Sequence, residues 1–486
     1  MTGGVAPRRG PAGSLQREDI VTITRGTTVR AVGVARRWVY AVTSDAVIVY
    51  DRDRRAWLPP FTRDGGFDPA FVRAVAVDPD DDSAWLISAT GAWTLQPLTS
   101  FVMRAPAGAL PTRLRAGSLD AVYREFPSLQ AFGRVLTRDA ASLQNFAVVS
   151  GARAPDRTEV WLGTAGGGLF QVDPLFNSAT PHTYGLAVTG AGAIARAADG
   201  VWIAPAPWTG EVRLALTFAS HDLQQWRWLD DNARHAFGGA RATALDVRGR
   251  LLWMGTTRGL FRVPIDGDGA RTFTLMSGLP SDIVLSVLAR AEGTWVGTSR
   301  GLAFLASDSA EGRGMAVGQG DVAEVPVRAL LATGDTLWVG TDAGLVLRTP
   351  GAAGQFVRPR EASGLTRLRQ PVMAIARADT LVLVALRDAV LAFNLRTGVW
   401  SEPWPAAPWR AVGDIQVAAA DARTLWVGGA LGVVALDRAT GGSRALRAGS
   451  DLPDAVTGLV LDGPWAWIAT LGGVVRIRRA IDGLSP

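Results

Sequence analysis

The chain has 486 residues, 48% of them hydrophobic and 19% charged, which excludes a disordered polypeptide and provides for several ordinary domains or one large repeat array. It contains no cysteine, which excludes disulfides, thiolate metal sites and cysteine nucleophiles, and no lysine, so all 50 basic residues are arginine and neither a Schiff base nor a phosphate-loop lysine is available. The net charge of +6 is modest for this length; it weakly favours an acidic protein surface or anionic lipid headgroups and gives no case for specific nucleic-acid binding.

Residues 1–18 hold small residues, Pro and Arg without an apolar core, and read as a flexible tail, not a signal peptide. No stretch approaches 18 apolar residues, so no membrane span is expected. As written the chain reads as cytoplasmic and at most peripheral to a membrane; a misassigned start would make it periplasmic. "DIVTITRG", Asp19 to Gly26, is the first segment with strand character.

From there one unit recurs. Its anchors are Tyr40, Trp85, Trp161, Trp202, Trp253, Trp295, Trp338, Leu383, Trp426 and Trp467. Most intervals are 41 to 51 residues, but Trp85 to Trp161 spans 76. Six residues after most anchors comes a small residue, as in Gly259, Gly301 and Gly344; the Trp202 unit breaks the rule with "APAPW". In the unit from Val327 to Arg358, "VRALLAT", "TLWVGT", "GLVLRT" and "QFVRP" are four short runs rich in Val and Leu, punctuated by Gly, Asp and Pro. That pattern predicts a four-stranded antiparallel meander, and its period is that of a β-propeller blade. The runs are too short and too β-branched for a helical repeat. The repeated Trp and Gly read as core packing: an indole fills the gap between twisted sheets, and glycine permits a tight turn and close backbone approach.

"SGLPSDIVLSVLARAEGTWVGTSRGLAFL", Ser277 to Leu305, resembles the two-component-regulator propeller repeat, with its "GLPS" segment followed by "WVGT" and "GL". "SDLPDAVTGLVLDGPWAWIATLGGVVRI", Ser450 to Ile477, and "SGLTRLRQPVMAIA", Ser363 to Ala376, are weaker copies. The resemblance implies the sensor part of a signalling protein, here without a kinase region or DNA-binding tail.

The last unit, from Ala455, lacks a fourth strand, and the N-terminal "DIVTITRG" can supply it. The expected fold is therefore all-β: a single β-propeller over residues 19–486, with about ten four-stranded blades and a ring sealed by the N-terminal strand. Two five-bladed propellers are the alternative. An insertion at about 98–143 has helical character, with Ser118 or Asp120 as N-cap and Pro127 splitting it.

The chemistry-bearing residues are sparse. His182, His221 and His235 have no metal-ligand spacing. "DPDDD" at Asp78 and "DGDG" at Asp266 look like hairpin turns and do not continue as calcium loops. The Gly-x-Gly at Gly190 lacks the helix that a dinucleotide loop needs. No catalytic, cofactor or metal residue is assigned, and no enzyme activity is expected. The partner-binding candidates are the arginines of the first unit (Arg36, Arg37, Arg52, Arg54, Arg55) and of the last (Arg476, Arg478, Arg479), which a closed ring would bring onto adjacent blades. They read either as an anion-facing patch or as members of internal ion pairs with nearby aspartates. Trp208, Trp404 and Trp409 stand beside prolines in loops, as interface anchors or as lids folded back on blade edges.

The expected function is a non-catalytic scaffold docking on other proteins, including subunits of a membrane complex. A propeller sensing a small molecule or glycan is the alternative, and an enzyme with a site assembled across blades is the third reading.

Overall fold

In the computed structural model of the chain, residues 19–479 are described, apart from 64–65, 100, 107, 109, 139–143, 207–214, 231–239, 267–268, 307–314, 318–321, 349–354, 360–365 and 405–407. Among the described residues the protein is nearly all β: ten antiparallel sheets, nine of four strands and one of five, with two α-helices between the second and third sheets. The sheets are numbered here in chain order, the one that holds the last strands of the chain being sheet 10.

Each sheet is the meander that its sequence predicts. In sheet 7, Val327–Thr333, Thr336–Thr341, Gly344–Arg348 and Phe356–Val357 pair in turn. The turn after Thr341 needs Gly344, whose φ is +106°. In sheet 6, Gly297 has a different task. A Cβ there would lie 2.6 Å from the Val327 carbonyl oxygen, so glycine lets the next sheet approach. Trp338 is buried between sheets 7 and 8 against Phe393 and Trp400, with its indole N–H donating to Thr333 Oγ1 at 2.8 Å. Its other contacts are to the aliphatic faces of both sheets, the arrangement that a recurring aromatic at this register implies.

The neighbour relations correct the ring expected from the sequence. The innermost strands of sheets 4 to 10, beginning with Ala191–Arg196 and ending with Val456–Asp462, touch in sequence order, and sheet 10 then meets sheet 4. The contacts recur in kind. Thr243 Oγ1 donates to Val284 O at 2.6 Å, Ser286 Oγ to Val327 O at 3.0 Å, and at the seam Thr457 Oγ1 to Ala191 O at 2.6 Å. Seven sheets thus close on themselves, so neither one ring of ten nor two rings of five describes the chain. The strand β1 (Ile20–Ile23) is the fourth strand of sheet 10, antiparallel to Gly473–Arg478, with Ile20 opposite Ile477 and Ile23 opposite Val474.

Sheets 1 to 3 form a separate arc. Sheet 1 begins with Ala31–Val34, sheet 2 with Val72–Val77 and sheet 3 with Ala147–Arg153. Their spatial order is 3–1–2, because the innermost strand of sheet 1 packs on those of both others. Ser150 Oγ donates to Val29 O at 2.9 Å on one side of sheet 1, while Val75, Val77 and Leu86 of sheet 2 pack on Tyr40 and Val49 from the other. Between sheets 2 and 3 the chain makes α1 (Leu119–Glu125), capped by Ser118 Oγ accepting from the Ala121 N–H, and α2 (Pro127–Leu136), with Pro127 in its first turn. Val122 and Leu129 of these helices cover the outer face of sheet 3 at Val160, Leu162, Phe170 and Val172.

The arc leaves and rejoins the ring at one place. Leu186 N donates to Thr24 O at 2.9 Å, and Gly26 N to Leu186 O at 3.0 Å. Beside this join, Gln224 holds both the N–H and the carbonyl of Trp57, and Tyr184 lies between Trp57 and Trp226 with both centroid distances 4.9 Å.

Candidate functional site

The arginines do not assemble into one patch. Sheet 10 neighbours sheet 4 and not sheet 1, so the first- and last-unit arginines are not on adjacent blades as expected. Arg52 is buried, donating to Asp156 Oδ1 and Glu159 Oε1 at 2.9 Å each and to the Ala35 carbonyl, and it clamps sheet 1 to the hairpin between the first two strands of sheet 3. Arg37 donates to Asp51 at 2.8 Å and lies 3.9 Å from Asp53; its hydrogen bond to Asp51 holds its proton more tightly than usual. Arg36 pairs with Asp82, and Arg54 is 4.0 Å from Asp51. Arg55 is exposed at the turn between two strands, with φ at 52°. Burial lowers Arg476 to about 10; its guanidinium lies 4.1 Å from the Trp465 ring centroid, and Nη1 donates to His221 O at 2.7 Å. Arg478 pairs with Asp19 at 3.3 Å, and Arg479 pairs with Asp421 and donates to Gly463 O. Apart from Arg55, these cations serve contacts within the chain.

Trp404 and Trp409 are buried with Val412 and Ile415 between sheets 8 and 9, so neither ring stands free as an anchor. Trp208 and His235 lie outside the described residues. His182 is held near 4 by burial and meets Gln171 Oε1 at 3.1 Å beside Trp161 and Tyr50. His221 pairs with Asp462 across the seam of the ring. Asp78 of the "DPDDD" segment is taken up by Arg113 and by the Asp80 N–H in a turn. Among the described residues no group of three or more His, Asp or Glu is placed to hold a metal ion. No helix there is long and apolar enough to cross a membrane.

One surface does depart from the repeat. The other nine anchors are buried beneath a neighbouring sheet, and Trp85 is only half-buried. The register shows which residues share its face. Trp85 stands opposite Ala76 and Thr94, Ile87 opposite Ala74 and Ala92, Thr94 opposite Met103, and Gln96 opposite Phe101. Directly opposed residues of antiparallel strands share a face, so all nine belong to the outer side of sheet 2, and none carries a charge. Leu86 and Leu95 on the inner side are fully buried against sheet 1, whereas Phe101 and Met103 on the outer side are 69% and 61% exposed.

The face is bare because of the insertion. Instead of laying sheet 3 on Trp85, the chain crosses from Phe101–Arg104 to the inner edge strand Arg115–Ala116 and then through both helices to the far side of sheet 1. That crossing walls a groove of about 500 Å³, floored by Trp85, Ile87 and Ala92 and bordered by Arg104, Pro106 and Leu110. The sequence carried two signs of it: the 76-residue interval after Trp85, and apolar side chains on alternate positions at Phe101 and Met103.

No family model matches the chain, and no curated protein matches it. Solved structures similar to it include the extracellular domain of a one-component system from B. thetaiotaomicron, at 16% identity and a TM-score of 0.43, covering 93% of this chain and 70% of that one. Another is the extracellular domain of a hybrid two-component system from the same organism, at 12% identity and a TM-score of 0.35, covering 98% and 84%. A third is virginiamycin B lyase from Staphylococcus aureus, at 14% identity and a TM-score of 0.44, covering 59% and 94%. At these TM-scores the likenesses assign neither ligand nor partner.

Proposed function

We propose that the protein is a non-catalytic recognition module in which the seven-sheet ring is a rigid base and the three-sheet arc is the contact element. The observation that carries this reading is the bare outer face of sheet 2, the one blade surface whose anchor no neighbouring sheet covers. More than half of the exposed large hydrophobic side chains among the described residues also belong to the arc, including Phe71, Leu98, Phe132 and Phe176. Apolar surface gathered on one part of a folded chain marks a contact site. Chemical cross-linking in native cells tests the reading, with Phe101→Asp and Phe176→Asp compared against the ring variant Met276→Asp, whose parent side chain is 97% exposed. The arc variants lose their cross-links and the ring variant keeps them; cross-links confined to the ring would sink the proposal.

The groove beside Trp85 favours a second reading, a small-molecule sensor. Its volume is in the usual range for ligand pockets, about 300–1,000 Å³, and it offers an indole floor beside the hydroxyls of Ser88 and Thr90. Under that reading a soluble glycan or aromatic ligand raises the melting temperature of the wild type and not of Trp85→Ala.

A further inference from the structure

The stack 3–1–2 has two ends, and they are treated differently. At sheet 3 the chain's own α1 and α2 cover the apolar face. At sheet 2 the face around Trp85 has no cover of comparable extent, and only the crossing segment with Pro106 and Leu110 borders it. Elsewhere in this chain such a face is covered by a sheet. Trp295 is buried on Leu337, Val339 and Val346 of sheet 7, Trp202 on Leu252, Met254 and Phe261 of sheet 5, and Trp161 on Tyr50 of sheet 1. The stack is therefore continuous up to sheet 2 and stops at a surface built to take one sheet more.

We propose that the sheet is supplied by a second copy of the chain, Trp85 face against Trp85 face, about a twofold axis. This rests on the reading of the arc as the contact element. Three observations select a second copy. The nine residues Ala74, Ala76, Trp85, Ile87, Ala92, Thr94, Gln96, Phe101 and Met103 are uncharged, so the face itself sets no like charges in opposition, and Arg104 stands only at its border. The chain's other sheet stacks are already complete: the ring closes through Thr457 and Ala191, and sheet 3 is capped by helices. A head-to-tail arrangement of arcs has no free receiving sheet, whereas a twofold yields the stack 3–1–2–2–1–3, capped by helices at both ends, with no bare anchor left.

The size of the face sets the strength. Four strands about 4.8 Å apart and four to six residues long present roughly 19 Å by 17 Å, on the order of 300 Å² of sheet. That is below the roughly 800 Å² per partner of a standard stable interface. The dimer is therefore reversible and concentration-dependent, with Trp85 as its central anchor.

Sedimentation velocity of the full chain over a wide concentration series measures it. The wild type shifts from one to two chains per particle. Trp85→Asp and Met103→Asp, both at outward-facing positions, weaken association about 100-fold or more, and Met276→Asp on the ring leaves it unchanged. Because the chain has no cysteine, Thr94→Cys introduces a single thiol near the centre of the face. Mild oxidation then gives a covalent dimer from Thr94→Cys and none from Met276→Cys. A wild type that stays monomeric throughout, or a dimer that neither face variant weakens, overturns the proposal. A monomer whose arc variants still lose their cross-links in cells overturns self-pairing alone and points to a different protein on this face. A monomer whose melting temperature a small ligand raises in the wild type and not in Trp85→Ala also overturns it and favours the sensor.

Discussion

Thr457 donates its hydroxyl to the carbonyl of Ala191 at 2.6 Å, joining residues 266 positions apart. Through this contact the last sheet grips the fourth and leaves the first three outside the ring. Gly458 lies against Ile194 at the same seam, where a Cβ would come 2.8 Å from the Ile194 side chain. The ring therefore depends on residues 19–23 and 187–479, and the arc is an excursion between β1 and sheet 4.

Excision of the arc follows from that topology. Thr24 and Leu186 are hydrogen-bonded neighbours, so residues 27–184 can be replaced by a short glycine linker without moving either end. The product keeps a single cooperative thermal transition and the strand signature in circular dichroism. Loss of the cooperative transition would show that the ring needs the arc.

Removal of β1 has the opposite outcome. Without Ile20–Ile23 the strand Gly473–Arg478 becomes an open edge, and the buried side chains of Val21 and Ile23 are lost from the core. Deletion of residues 1–26 lowers the melting temperature by several degrees and promotes aggregation. An unchanged transition in differential scanning calorimetry would contradict closure through this strand.

Arg52→Met breaks the clamp between sheets 1 and 3 and leaves Glu159, 12% exposed, without its cation. Removing one partner of a buried ion cluster costs about 3 kcal/mol. The loss appears as faster amide exchange in the arc, with exchange in sheets 5 to 9 unaltered. Uniform destabilisation would place the clamp's effect in the ring as well.

Two histidines give the stability a pH dependence of opposite sign. Burial lowers His182 from 6.5 to about 4. Between those values the unfolded chain takes a proton that the folded chain refuses, so stability falls as pH drops from about 6.5 to about 4, by up to roughly 3 kcal/mol. His221 is raised above 6.5 by its bond to the Ala198 carbonyl, against the effect of burial, and further by Asp462. Its contribution is complete below 6.5 and fades as pH rises through its folded pKa; its side chain is 40% exposed, so the effect is small. Urea titrations at successive pH values show His182→Gln flattening the acid limb and His221→Gln the limb above 6.5. An acid limb unchanged in His182→Gln would exclude this histidine as its cause.

Gly297→Ala places a methyl group 2.6 Å from the Val327 carbonyl oxygen. The sheets must part to admit it, at a cost of about 2 kcal/mol, read as a lower denaturant midpoint at constant slope. Gly297 itself has no left-handed φ, so the loss reports the steric clash and not backbone strain.

The sequence by itself determined the local architecture. Alternation at Val327–Thr333, the aromatic at Trp338 and the small residue at Gly344 each express a requirement met within one hairpin or between two sheets, and such requirements repeat in the text. The helices at Ser118 and Pro127 were legible for the same reason, because a cap and a first-turn proline act locally. The tertiary structure alone decided which sheet each Trp face meets. The faces of sheets 3 and 10 present the same kind of aromatic and aliphatic side chains, so their composition does not say that Trp161 packs on sheet 1 and Trp467 against sheet 4. That choice depends on how far α1 and α2 carry the chain around sheet 1, and on the geometry that lets Thr457 reach Ala191. The arginines belong with this second group: whether Arg52 faces solvent or a pair of carboxylates depends on Asp156 and Glu159 arriving from another sheet. Trp85 looks like its relatives in the sequence, and the path of the chain after it leaves its face bare.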